Sequence, residues 1–372
     1  MLVRYRFFVE ESLSPAGSSQ EAFAKGGPMN ERVYAPEHAV WELTLRCNMK
    51  CLHCGSSAGR ARANELTVDE CLPVADDLLT LGCRQITFIG GEIFLYRGWE
   101  KVARRMSDGG AEANIITNAH FMNAEEISRI QDAKLNNVGV SLDGMEENHD
   151  RIRRSKGSFK RVLAAFEMLR QAGIPIAVVT CLLDFNLADL EQMYDLLVAN
   201  AVDIWQLQIA TGMGNMAGRE GFLLDPAKVG QITKFIAEKY RSGALKVYAG
   251  DDIGYFDEYE PYLRSCPGTI SVWSGCQAGM RVVGIDSVGN VKGCVSIYSD
   301  RFIEGNLRSE SLQEIWTKEG AFAYNRNFNT NMLSGACALC DKGSICRGGC
   351  RGSSYFSSGS CFESRYCCYP GR

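Results

Sequence analysis

Six short apolar runs constrain what this chain can fold into more than anything else in it. They lie at Val40–Leu45, Gln85–Ile89, Ala113–Thr117, Asn137–Ser141, Ile174–Leu182 and Ile204–Ile209. Most are about 25–35 residues apart, and amphipathic stretches of helical length fill the gaps. Thr67-Val-Asp-Glu70 has capping-box spacing ahead of one helix, and Ser158 precedes another predicted over Phe159–Ala172. Repeated strand–helix units of this length make a parallel sheet, and six of them make an α/β fold, a partial (β/α)6 barrel of parallel strands. Such barrels carry their reactive groups at the C-terminal ends of the strands.

The pattern stops after a helix predicted over Asp225–Tyr240. From Cys266 onward the chain is Gly-rich and Cys-rich, with ten of its sixteen cysteines in the last 107 residues. The organisation expected is therefore a Ser/Gly-rich flexible leader at 1–34, a barrel at 35–255, and a small Cys-rich C-terminal domain at 256–372. At 372 residues, 46% hydrophobic and 23% charged, the chain has room for one large core and one small one. A net charge of −4 without a long basic run argues against nucleic acid and anionic membrane surfaces. No run approaches ~18 uninterrupted apolar residues, so no membrane-spanning helix is expected and a cytoplasmic location is. Sixteen cysteines beside four histidines, in a reducing compartment, favour thiolate-held iron–sulfur clusters over disulfides or mixed zinc sites.

The run RCNMKCLHC follows the first strand and places Cys47, Cys51 and Cys54 at C-x3-C-x2-C spacing. Structural zinc and ordinary electron-transfer clusters take four protein ligands. Three thiolates on a cubane cluster leave one iron open to a small molecule that offers nitrogen and oxygen. After the second strand comes Gly90-Gly91-Glu92, where glycines allow close backbone approach and a carboxylate can accept from an ammonium. Thr117-Asn118 and Ser141-Leu-Asp143-Gly144 end the next two strands, as ligand contacts or as helix caps.

With these motifs the chain, over roughly residues 38 to 372, resembles the radical S-adenosylmethionine (SAM) enzymes. The resemblance implies that Cys47, Cys51 and Cys54 hold a [4Fe–4S] cluster whose open iron chelates the amino and carboxylate groups of SAM. It puts His53 at the position where the family packs the adenine. Gly90, Gly91 and Glu92 match the motif that binds the methionine amino group. Ser141 matches the position that contacts the carboxylate, with Arg153 as its cationic partner, and Asn118 falls in the family's TNG-like turn, here TNA.

The later cysteines resemble the SPASM domain. Cys276, Gly289 and Cys294 fit C-x9–15-G-x4-C, and Cys337, Cys340, Cys346 and Cys350 fit C-x2-C-x5-C-x3-C. A zinc knuckle of four cysteines is the alternative for the second block. The resemblance implies two auxiliary clusters. One is held by Cys276, Cys294 and Cys350, with Cys266, Cys361 or no residue as fourth ligand. The other is held by Cys337, Cys340, Cys346 and a last cysteine, for which Cys367 is preferred to Cys368. Cys71, Cys83 and Cys181 are expected to be buried packing residues.

The activity implied is reductive cleavage of SAM to a 5′-deoxyadenosyl radical, which takes hydrogen from a substrate C–H. The electron would come from a flavodoxin- or ferredoxin-type donor. Anaerobic sulfatase-maturating enzymes share these motifs but carry an Asp after the second SPASM cysteine; here that position is Val295. The expected substrate is a ribosomally made peptide, presented by a separate recognition protein and crosslinked, epimerised or oxidised. The alternative is a small molecule such as an aminosugar or cyclitol, dehydrogenated or epimerised. A non-catalytic ferredoxin-like carrier is disfavoured by the three-ligand loop and GGE.

Overall fold

The computed structural model describes residues 34–265 and 269–371; the expected leader lies almost wholly outside them, and so does Cys266. All six predicted strands are present: β1 His38–Thr44, β2 Gln85–Gly90, β3 Glu112–Thr117, β4 Asn137–Ser141, β5 Ile176–Leu182 and β6 Ile204–Ile209. A seventh, β7 Lys246–Ala249, follows the helix Val229–Ser242. Its pattern, KVYA, is too short and too mixed to stand out from its sequence alone. Strands β1 to β7 pair in sequence order, each parallel to the last. β7 ends the sheet at one edge and does not meet β1, so the array is an open barrel.

The sheet also crosses the expected domain boundary. β8 Val282–Ile285 pairs parallel to β1, with His38 opposite Val282 and Trp41 opposite Ile285. β9 Asn290–Lys292 and β10 Gly305–Asn306 extend it antiparallel. The strand that delivers the RCNMKCLHC loop is therefore clamped between the barrel and the Cys-rich domain. An ion pair of 2.6 Å between Arg281 and Glu37 fixes the same seam.

Every residue of β5, IAVVTCL, is buried, as a strand covered on both faces requires. Trp41, Phe88, Trp99, Phe166 and Trp205 fill the space between sheet and helices, and the Trp205 indole donates to Thr180 Oγ1 at 2.8 Å. Thr67 and Glu70 form the expected capping box on the helix Val68–Thr80. The helix Ser158–Gln171 is capped differently from expectation. Ser158 is its first residue and Gly157 its N-cap, with φ +77°. The Asp150 carboxylate takes the free amides of Gly157 (2.5 Å) and Phe159 (2.9 Å). Cys71, Cys83 and Cys181 are buried, as expected of packing residues.

Candidate functional site

The cysteine loop is shaped from several directions. Glu65 receives Leu45 N and Thr44 Oγ1 at 2.7 Å and Arg62 N at 3.0 Å, which folds the chain back after β1. Cys47 N donates to Gly59 O at 3.1 Å, and Leu52 N to Ile152 O at 2.8 Å. The turn after β6 closes the far side: Asn215 donates from Nδ2 to Cys51 O (2.9 Å) and from its amide to Cys54 O (3.0 Å). Gly214, at φ +56°, presses so close that a Cβ there would stand 2.4 Å from Cys54 O.

The three thiols each have an N–H donor. Met49 N lies 3.4 Å from Cys47 Sγ, Ala58 N 3.3 Å from Cys54 Sγ, and Arg153 Nη1 3.8 Å from Cys51 Sγ. Burial pushes the Cys47 thiol up to about 11, with a smaller push from Glu92, and raises Cys51 against the pull of Arg153. Without a cation beside them Cys47 and Cys51 stay protonated; with one they become thiolates supported by the same donors. Among the described residues no three Cys, His, Asp or Glu side chains converge closely enough to hold a single metal ion.

The GGE segment is bound to this loop through its backbone. Gly91 N donates to Thr44 O (2.7 Å) and Glu92 N to Arg46 O (2.8 Å). A Cβ on Gly90 would lie 2.5 Å from Thr44 O and one on Gly91 2.3 Å from Arg46 O, so the glycines serve strand approach. Glu92 is 1% exposed. Its Oε1 accepts from Thr117 Oγ1 at 2.6 Å and more weakly from Phe94 N at 3.4 Å, and its Oε2 accepts from Asn118 N at 2.8 Å. A carboxylate offers about four acceptor positions, so Oε2 retains one. Burial lifts Glu92 to about 7, against these hydrogen bonds. Asn118 Nδ2 reaches Asn48 Oδ1 at 2.9 Å and lies 4.0 Å from Cys47 Sγ. The turn that holds it puts Ala119 at φ +63°, the left-handed region.

Ser141 is half-buried at the last position of β4, paired with Val179. His53 and Arg153 meet on Asp143, a residue that is 0% exposed: His53 Nε2 lies 3.2 Å and Arg153 Nε 2.6 Å from Oδ2. Oδ1 accepts from Cys181 N at 2.9 Å. Burial works to raise the Asp143 carboxyl, yet Arg153 and His53 hold it far below the usual range. Sequence reasoning missed Glu65, Asp143 as an ionic hub, and the Gly214–Asn215 turn. The available signals were an Asp inside the β4-end motif and GMGN beginning three residues past the end of β6.

None of the fifteen described cysteines, nine of them in the C-terminal region, forms a disulfide. Cys337, Cys340, Cys346 and Cys367 line one cavity together with Tyr255. Cys368 faces away, 3.7 Å from the point where a Cβ on Gly254 would sit and within reach of Thr233. Cys276, Cys294 and Cys350 form a second group, close enough for charge on Cys276 to act on both others.

Comparison with known proteins follows these two regions. The Radical SAM superfamily model matches residues 41–197, and that of the SPASM iron–sulfur cluster-binding domain matches 276–341. The AdoMet-dependent heme synthase of Methanosarcina barkeri is 30% identical over 353 residues, covering 91% of this chain and 98% of that protein. Mycofactocin maturase MftC of Mycolicibacterium smegmatis is 26% identical, over 93% of this chain and 84% of its own. Streptococcus suis SuiB bound to S-adenosylmethionine superposes with a TM-score of 0.73 at 16% identity, over 92% of this chain and 79% of that one. SuiB bound to its precursor peptide SuiA gives 0.72 at 16% identity, over 93% and 78%.

Proposed function

This chain belongs to the radical SAM superfamily and carries a SPASM domain, and from that premise we propose that it removes hydrogen from a C–H of a ribosomally made peptide. Bound, the [4Fe–4S] cluster and SAM supply a 5′-deoxyadenosyl radical, and the SPASM domain adds auxiliary clusters. The observation that carries the reading is the single connected cradle formed by the three-thiol loop, Glu92 and Asn118.

Cys47, Cys51 and Cys54 would hold the cluster by three corners. Glu92 would receive the methionine ammonium on its remaining Oε2 position. Ser141, at the end of β4, would take the carboxylate. Arg153 is held by Asp143 and turned toward Cys51, so its charge would serve the thiolate at least as much as the SAM carboxylate. His53, anchored on Asp143, would present one ring face where the adenine packs. Cys337, Cys340, Cys346 and Cys367 would hold one auxiliary cluster, and Cys276, Cys294 and Cys350 would hold three corners of the other.

A peptide substrate is supported by the fold shared with SuiB, which binds a precursor peptide. A flavodoxin- or ferredoxin-type protein would deliver the electron. Free thiols throughout the described chain support a reducing, cytoplasmic setting. A second reading has the higher sequence identity behind it. The M. barkeri heme synthase matches over nearly its whole length, which favours a tetrapyrrole. Co-expression with short peptides encoded beside the gene, and incubation with an iron porphyrin, followed in both arms by mass spectrometry, separate the two. Modified peptide supports the first reading. An altered porphyrin, with every peptide unchanged, replaces it with the second.

A further inference from the structure

Arg351 is 0% exposed and immediately follows Cys350. Its Nη1 donates to the carbonyls of Arg347 and Cys361, the latter at 3.1 Å, while Nε and Nη2 have no hydrogen-bond partner. Phe362 and Phe328 flank the guanidinium, its Cζ 4.6 and 5.5 Å from their ring centroids. After burial, the charges that act on it most strongly are those of Cys276, Cys361, Cys350 and Tyr324. A buried cation with two idle donors and thiols as its neighbours is costly unless an anion fills the space between them.

Tyr324 packs against the same buried cluster as Cys276, Cys361 and Cys294. Its hydroxyl is buried and without a hydrogen-bond partner. Cys361 is itself 8% exposed, packed in one apolar cluster with Cys276 and Cys346. Cys276 is common to both neighbourhoods, and the Arg351 amide donates to it. Cys276, Cys294 and Cys361 thus share one packed cluster with the unpartnered Tyr324 hydroxyl, and the unpartnered nitrogens of Arg351 belong to the residue that follows Cys350 and bonds Cys361 O. A [4Fe–4S] cluster with four thiolates carries net negative charge and presents sulfurs as acceptors, so it satisfies these donors at once.

We propose that Cys361 is the fourth protein ligand of the first auxiliary cluster, beside Cys276, Cys294 and Cys350, and that Arg351 and Tyr324 donate to its sulfurs. This rests on the SPASM reading above. It adds that the cluster has no open iron: it passes electrons, and substrate does not coordinate to it.

The test uses the full chain with Cys47, Cys51 and Cys54 replaced by Ala, reconstituted so that only auxiliary clusters remain, with cyanide as a probe of open iron. The parent should take up about 8 iron atoms. Its reduced EPR spectrum should not respond to cyanide. Adding Cys361→Ala, or the less disruptive Cys361→Ser, should make the spectrum respond or produce a three-iron signal. Arg351→Met should shift the midpoint potential to more negative values, because a cation beside the group being reduced is gone. A parent that already responds to cyanide, a Cys361→Ala spectrum identical to the parent's, or the same change produced by Cys266→Ala instead would each overturn the assignment. A parent that takes up no auxiliary iron would overturn the SPASM reading beneath it.

Discussion

Arg153 and Asp143 form a buried ion pair, Nε to Oδ2 at 2.6 Å, and the same guanidinium extends Nη1 to within 3.8 Å of Cys51 Sγ. Neither residue could tolerate its position alone. Removing one partner of such a pair leaves an uncompensated charge in the interior and costs about 3–5 kcal/mol. Asp143→Asn should therefore lower stability by roughly that amount, read as a drop in the denaturant midpoint at unchanged slope. A loss under about 1 kcal/mol would mean that water already reaches the pair.

The second prediction concerns Glu92 and pH. Burial holds its carboxyl near 7 instead of the ordinary 4.5, and the charged groups facing it are Arg153 and the Cys47 thiol. Because the folded-state value is the higher one, ionising Glu92 works against folding, so its contribution to stability falls as pH rises from 4.5 to about 7. Binding runs the other way, since an ammonium needs the ionised form. Affinity for SAM should weaken by up to about tenfold for each unit of pH below 7. Glu92→Gln should bind more weakly and lose most of that dependence. Equal pH profiles by calorimetry would move the ammonium contact elsewhere.

Ala119 gives a prediction of opposite sign. At φ +63° it holds a left-handed backbone that costs a residue with a Cβ about 1–2 kcal/mol, part of which glycine returns as unfolded-state entropy. Ala119→Gly should stabilise the protein by up to about 1 kcal/mol with SAM affinity unchanged. Destabilisation would show that the turn is held in place by the methyl group.

Gly91 is the reverse case. A Cβ there would lie 2.3 Å from Arg46 O and force β2 away from the cysteine loop. Gly91→Ala should lower stability by about 1–3 kcal/mol and loosen the first cluster selectively, so that iron is lost from it before the auxiliary sites. Iron counted during mild chelation checks this; uniform loss from all sites would contradict it.

Much of this arrangement was readable along the chain because it is local. Periodicity marks six strands, each within about two residues of its observed ends, and the SPASM resemblance groups Cys337, Cys340 and Cys346, which line one cavity. What could not be read is what depends on contacts far apart in sequence. Pairing of β8 with β1 joins residues more than two hundred positions apart, and VVGI alone does not say which edge it seeks. Asp143 is a plausible helix cap until His53 and Arg153 are brought to it. Ser158 looked like the cap of its helix, but Asp150 performs that task from the preceding helix. Cys367 and Cys368 are adjacent in sequence, and only the path of the last turn turns one toward the cavity and the other toward Thr233.

The central claim is that the Cys47–Cys51–Cys54 loop, and no other cysteine set, is where SAM is cleaved. The direct measurement is 5′-deoxyadenosine released by the reduced, reconstituted protein, with and without those three cysteines replaced by Ala. Wild-type protein should release it, and the triple variant should release none while still holding its auxiliary iron. A triple variant that goes on producing 5′-deoxyadenosine would contradict the account.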